Sequence, residues 1–144
     1  MAAAAEHCRQ RGVQLTALRR EVLDLLWRRN GSAKAYDLQD DMRQRHGRMA
    51  PTTVYRTLEF LMEQELVHRV DAVNAFVACD IEHGHAHPAM MLVCSLCNQV
   101  TEWHDHEALA GLSARLKVQF PGFTETAVEI KGVCGDCARE QHSR

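Results

Sequence analysis

The sequence predicts an α+β protein made of two unlike halves. Three observations carry that prediction. Apolar residues recur at a helical period through the first 63 residues and then give way to two short β-type runs. Two Cys-x2-Cys pairs, at 94–97 and 134–137, bracket a strand, a helix and a second strand. The charge also changes sign along the chain: residues 1–78 carry 12 Lys and Arg against 10 Asp and Glu, and residues 79–144 carry 5 against 9.

The first half reads as helices. "LTALRREVLDLLWRR" places apolar side chains at 15, 18, 22, 25 and 26, one face of a 3.6-residue period, with Thr16 as its N-cap. Asn30-Gly31 breaks it, Ser32 is read as the next cap, and Ala35, Leu38 and Met42 share a face of the second helix. Pro51 suits the first turn of a third helix, in which Val54, Leu58 and Leu61 face inward. Thr52, Arg56 and Glu59 then fall on the opposite side, with Tyr55 on the flank. "LVHRV" and "AFVA", joined around Asp71–Asn74, complete three helices and a hairpin, the outline of a winged helix-turn-helix. In the second half, "AMMLVC" and "NQVTEW" read as strands, "DHEALAGLSARLKVQF" as an amphipathic helix, and "TETAVEIKGVC" as a further strand. The expected organisation is a DNA-binding domain over 1–80, a hinge over 81–88 and a small α/β domain over 89–144.

At 46% hydrophobic the 144-residue chain can bury a core, and no apolar run approaches the ~18 residues of a membrane span. The first residues lack the basic flank and apolar centre of a signal peptide, so a cytoplasmic location is expected. In that reducing setting paired cysteines more often hold metal or do redox work than form structural disulfides. Eleven of the twelve cations before residue 79 are arginine, the side chain suited to phosphate and guanine edges.

Three constellations follow. Cys94, Cys97, Cys134 and Cys137 have the spacing of two knuckles that complete a tetrahedral S4 shell, a closed structural zinc site. The competing reading is redox pairs, but neither sits in a thioredoxin-like context. A looser set, His68, Cys79, His87 and Glu102, has the make-up of a mixed N2SO site. His83, His85 and Asp80 compete for places in it, and scattered surface histidines are the plainer alternative. Finally, "PTTVYRTLEFL" offers Thr52, Tyr55 and Arg56 for DNA contact, although a solvated helix face is the commoner meaning of such a pattern. Tyr36 offers a ring for a thymine methyl, and Arg19 and Arg20 are candidates for phosphate. His104, His106 and His142 read as solvated, and Cys8 as a packing or surface thiol. There is no HExxH or deaminase-type signature, and four protein ligands leave no open position, so an enzyme is not expected.

The motifs "RGVQLTALRREVL", "SAKAYDL", "TTVYRTLEFL", "ELVHR", a histidine-rich stretch before "LVCSLC", and "GVCGDC" run in one order over residues 9–137. In that ordered set the chain resembles the ferric uptake regulator family of metal-sensing transcription factors, and within it the zinc-uptake branch. The resemblance implies two Zn²⁺ per chain: a structural ion on the four cysteines and a regulatory ion on His68, Cys79, His87 and Glu102. It implies DNA contacts at Tyr36 and Arg56, contacts between neighbouring dimers at Asp40 and Arg43, and a homodimer on palindromic AT-rich operators that represses zinc-uptake genes, two dimers to an operator in some cases. An iron, manganese, nickel or peroxide sensor is the alternative within the family, and the thiolate of Cys79 argues for zinc. The chain departs from the family pattern in carrying "HGHAH" where many members have "HHHDH". It also has Thr126 where some have a further metal-binding histidine, and His83 and His85 have no assigned role.

Overall fold

The computed structural model describes residues 1–29, 32–79 and 89–143. The chain divides into two compact units, Met1–His85 and Ala86–Arg144. The expected hinge at 81–88 lies outside the described residues, as does the Asn30-Gly31 break.

The first unit runs α1 (Ala2–Gln10), α2 (Ala17–Arg28), β1 (Ser32–Ala33), α3 (Ala35–His46), α4 (Pro51–Glu63), β2 (Val67–Val70), a 3-10 turn (Asp71–Val73) and β3 (Ala75–Ala78). Thr16 caps α2, its hydroxyl accepting from the Arg19 amide at 3.5 Å. Gly47, at φ +71°, takes a backbone conformation that side chains disfavour and ends α3. Pro51 then opens α4 at its first turn. The apolar stripes meet as expected: Val22, Leu23, Leu26, Leu38, Met42, Leu58 and Leu61 are fully buried. Burying each such side chain is worth about 1.5–3 kcal/mol, so the helix positions are set by the stripes. The wing is an antiparallel sheet of order β1-β3-β2, with Val67 opposite Ala78 and His68 opposite Val77. Asn74, left-handed at φ +49°, closes its hairpin.

Two features differ from the sequence reading. Ser32 is not a helix cap; it pairs with Val77 as part of a third strand, and Lys34 takes the N-cap position. The tetra-alanine segment forms α1, which buries Ala4 and Cys8 against the core and ties to the end of α4 through His7 Nε2 and the Gln64 carbonyl at 2.8 Å. Alanine's high helix propensity permits this helix, and its packing sustains it.

The second unit runs β4 (Ala89–Cys94), β5 (Val100–Trp103), α5 (His106–Gln119), β6 (Ala127–Gly132) and α6 (Gly135–His142). The sheet order is β5-β4-β6, with β5 antiparallel and β6 parallel to the central β4. Asp105 caps α5 by accepting from the Ala108 amide at 2.8 Å, and Ser113 donates to Glu125 across to the segment before β6. The expected amphipathic helix is present, but Leu109 is its only buried side chain among the described residues. Leu92, Leu112, Val118, Phe120, Phe123 and Ile130 are all exposed. The short α6, not anticipated from the sequence, grows out of the second Cys-x2-Cys pair. Among the described residues no helix is long and apolar enough to cross a membrane.

Candidate metal centre and nucleic-acid face

The parallel pairing of β4 with β6 sets Cys94 opposite Gly132, so both strands end at the same level. Beyond β4 the chain turns through Ser95–Cys97, and Asn98 closes the turn in the left-handed region at φ +60°. Beyond β6, Cys134 stands at the N-cap of α6 and Cys137 lies in its first turn. Ser95 binds the two ends together: its amide and hydroxyl both donate to the Gly132 carbonyl, at 2.8 and 2.7 Å. The four Sγ atoms consequently lie within 4.8 Å of one another, with Cys97 and Cys134 3.8 Å apart. A tetrahedral ion with Zn–S bonds of ~2.3 Å requires sulfurs ~3.8 Å apart along each edge. The donor set and spacing therefore fit a closed S4 site.

The thiols are electrostatically unequal. Cys94 is pushed down to about 6, first by the Cys134 backbone amide, 3.4 Å from its sulfur, and then by those of Cys97 and Leu96. Cys137 is held well above its ordinary value by hydrogen bonding to Cys134 and then to Cys97. Amide dipoles converge on one sulfur while the others share protons. A divalent ion in place of those protons holds all four as thiolates.

Two members of the second ligand set meet in the first unit. His68 lies on β2 and Cys79 directly follows β3, where its amide donates to the Leu66 carbonyl at 2.9 Å. A His68 ring nitrogen and Cys79 Sγ lie within 4.8 Å of each other. In the second unit, Glu102 lies on β5 opposite Met91, and its carboxylate is 3.7 Å from His104 Nε2. His104, expected to be solvated, is exposed directly after β5. His87, His83, His85 and Asp80 lie outside the described residues. Thr126 stands exposed just before β6.

The residues expected to contact DNA on α3 and α4 are exposed. Tyr36 is 67% exposed in the first turn of α3, and Thr52, Tyr55 and Arg56 are exposed on α4. Asp40 and Arg43 pair with each other along α3 at 3.6 Å. Arg19 donates through Nη1 to the Gln14 carbonyl at 2.7 Å and stacks on Phe60, and Arg20 donates through Nε to the Leu15 carbonyl at 3.0 Å. The role of Phe60 was not visible in the sequence, because its partner lies on a different helix.

A family model described as the ferric uptake regulator family matches residues 10–130. The chain belongs to this family. The zinc uptake regulation protein of Escherichia coli (strain K12) is 35% identical over 146 aligned positions, spanning all of this chain and 84% of that protein. That of Mycobacterium tuberculosis (strain ATCC 25618 / H37Rv) is 34% identical over 130 positions, 88% of this chain and 95% of that protein. A solved structure of a zinc uptake regulator complexed with zinc and DNA superposes with a TM-score of 0.84 at 35% identity, covering 98% of this chain and 94% of that one. Membership brings the expected winged helix and C-terminal α/β unit with it.

Proposed function

We infer that this protein is a zinc-responsive transcriptional regulator. The observation that carries the reading is the likeness, over nearly the whole chain, to a regulator solved with both zinc and DNA. The reading assigns the DNA-binding domain to 1–80, the hinge to 81–88 and the dimerisation domain to 89–144. It assigns two ions per chain. Cys94, Cys97, Cys134 and Cys137 hold the structural one, a role their spacing supports. His68, Cys79, His87 and Glu102 hold the regulatory one, which the His68–Cys79 pairing in the wing supports. A thiolate in a four-ligand N2SO shell favours zinc over iron or manganese, which prefer six N/O ligands. Zinc bound this way is inert scaffolding or signal rather than a catalyst, and the protein is not an enzyme.

Exposed Leu112, Val118, Phe120 and Ile130 support a homodimer, since a second copy would cover apolar surface that one chain leaves bare. A twofold dimer reads a palindrome, here AT-rich and controlling zinc-uptake genes, within the cytoplasm. In this reading Asp40 and Arg43 exchange their internal pair for one across neighbouring dimers. Regulation is a population shift. Ligands from wing, hinge and β5 converge only in the DNA-competent arrangement, so zinc favours that arrangement by its differential affinity. A coupling of roughly 3 kcal/mol tightens DNA binding about 100-fold.

The test is binding of the purified protein to duplexes enriched from a random pool, titrated against buffered free zinc with Fe²⁺ and Mn²⁺ as competitors. Zinc should promote binding where the other ions do not, and Cys79→Ser should abolish that response while retaining the S4 ion. Promotion by Fe²⁺ or Mn²⁺ at lower free concentration than zinc, or an unaltered zinc response in Cys79→Ser, would overturn the reading.

A further inference from the structure

A cleft between α2 and α4 is lined by Thr16, Leu18, Arg19, Thr53, Arg56 and Thr57. Two guanidinium side chains and three hydroxyls surround one concavity, and its described lining contains no carboxylate. Arg19 is held in place there. Nη1 is anchored to the Gln14 carbonyl at 2.7 Å, and the guanidinium carbon lies 3.4 Å from the centroid of the Phe60 ring. That separation is a stacked cation–π contact. An arginine side chain ordinarily loses much rotamer freedom on binding an anion, and a stacked, tethered one has already lost it. Phe60 itself is half-buried at the edge of the core, so one face of its ring is available to Arg19.

We propose that Phe60 is a positioning residue that holds Arg19 as a preorganised clamp on a single phosphodiester of the DNA backbone, with Arg56 on the opposite wall of the cleft. This rests on the reading of α4 as the DNA-facing helix and adds to it a fixed phosphate register between α2 and α4. Planar guanidinium groups suit phosphate oxygens in a fork geometry, and the Thr16 and Thr53 hydroxyls suit the same oxygens, while the Thr57 hydroxyl donates its proton to the Thr53 carbonyl. Such a contact fixes the depth of α4 in the groove without conveying sequence.

The experiment uses the zinc-saturated full chain and a fluorescently labelled duplex of mixed sequence, with affinity measured at several salt concentrations. Arg19→Ala should weaken binding and flatten the slope of log K against log salt by about 0.9. Phe60→Leu should weaken binding about two- to five-fold, and Phe60→Tyr, which keeps the ring, should not. In the R19A background, Phe60→Leu should have no further effect on DNA affinity. An equal Phe60→Leu loss in both backgrounds would show that the ring serves only the fold and would overturn the proposal. Unchanged affinity in Phe60→Leu, or failure of Phe60→Tyr to restore it, would do the same. A parent protein that binds no duplex would instead overturn the DNA reading, and the clamp with it.

Discussion

Replacing Cys134 by serine removes one corner of the sulfur tetrahedron with almost no change in volume. A serine hydroxyl stays protonated at neutral pH and is a poor zinc ligand. The second unit has little else to rely on: beside Cys94, its buried apolar side chains among the described residues are Met90, Met91, Val93 and Leu109. A closed structural site is worth roughly 10–16 kcal/mol, or about 2.5–4 kcal/mol per ligand if shared evenly. That is a large part of the ~5–15 kcal/mol that holds a whole domain. At 4–8 °C per kcal/mol for a small domain, the melting transition of this unit should fall by about 10–32 °C. The zinc content of protein recovered after gel filtration should fall by about one ion per chain. Elemental analysis and circular dichroism melting read both quantities, and light scattering reports the oligomeric state. A Cys134→Ser protein with parental zinc content and parental melting would refute the S4 assignment, whatever its effect on DNA.

Two further outcomes follow from the first unit. Arg56→Ala should lower the preference for operator over random duplex by ~1–3 kcal/mol in a competition assay while leaving the zinc content unchanged; equal loss on both duplexes would make Arg56 a phosphate anchor only. Asp41 accepts two hydrogen bonds from Arg29, at 2.8 and 2.9 Å, and they hold its carboxyl below the ordinary 3.8. A depressed carboxyl stabilises the fold above its unfolded value and loses that contribution as pH falls through its folded value. Asp41→Asn should therefore cost about 0.5–1 kcal/mol at pH 7, modest because the pair is partly exposed, and the difference from the parent should shrink towards zero below pH 3.8. Urea midpoints of variant and parent at both ends of that range measure it.

Local chemistry made much of this protein legible from the residues. Thr16 caps α2, Pro51 starts α4, Leu38, Met42, Leu58 and Leu61 face the core, and β2 and β3 flank Asp71–Asn74, because each depends on neighbours within a few residues. The Cys-x2-Cys spacing likewise places two sulfurs at one point, whatever surrounds them. Convergence of the two pairs is another matter. It requires β6 to lie parallel to β4 so that Cys94 meets Gly132, a pairing between residues 38 apart in sequence that no local signal encodes. The same holds for Ser32, whose cap chemistry gave way to a ladder with Val77, and for α1, whose alanines become a helix only when Ala4 and Cys8 are buried against the core. It holds for Phe60 beneath Arg19 and for the His68–Cys79 pair across the wing. Helix caps, turns and knuckles are short-range and write themselves into sequence. Strand partners, stacked cations and assembled ligand shells depend on which distant surfaces bury each other, and only the packed chain specifies that.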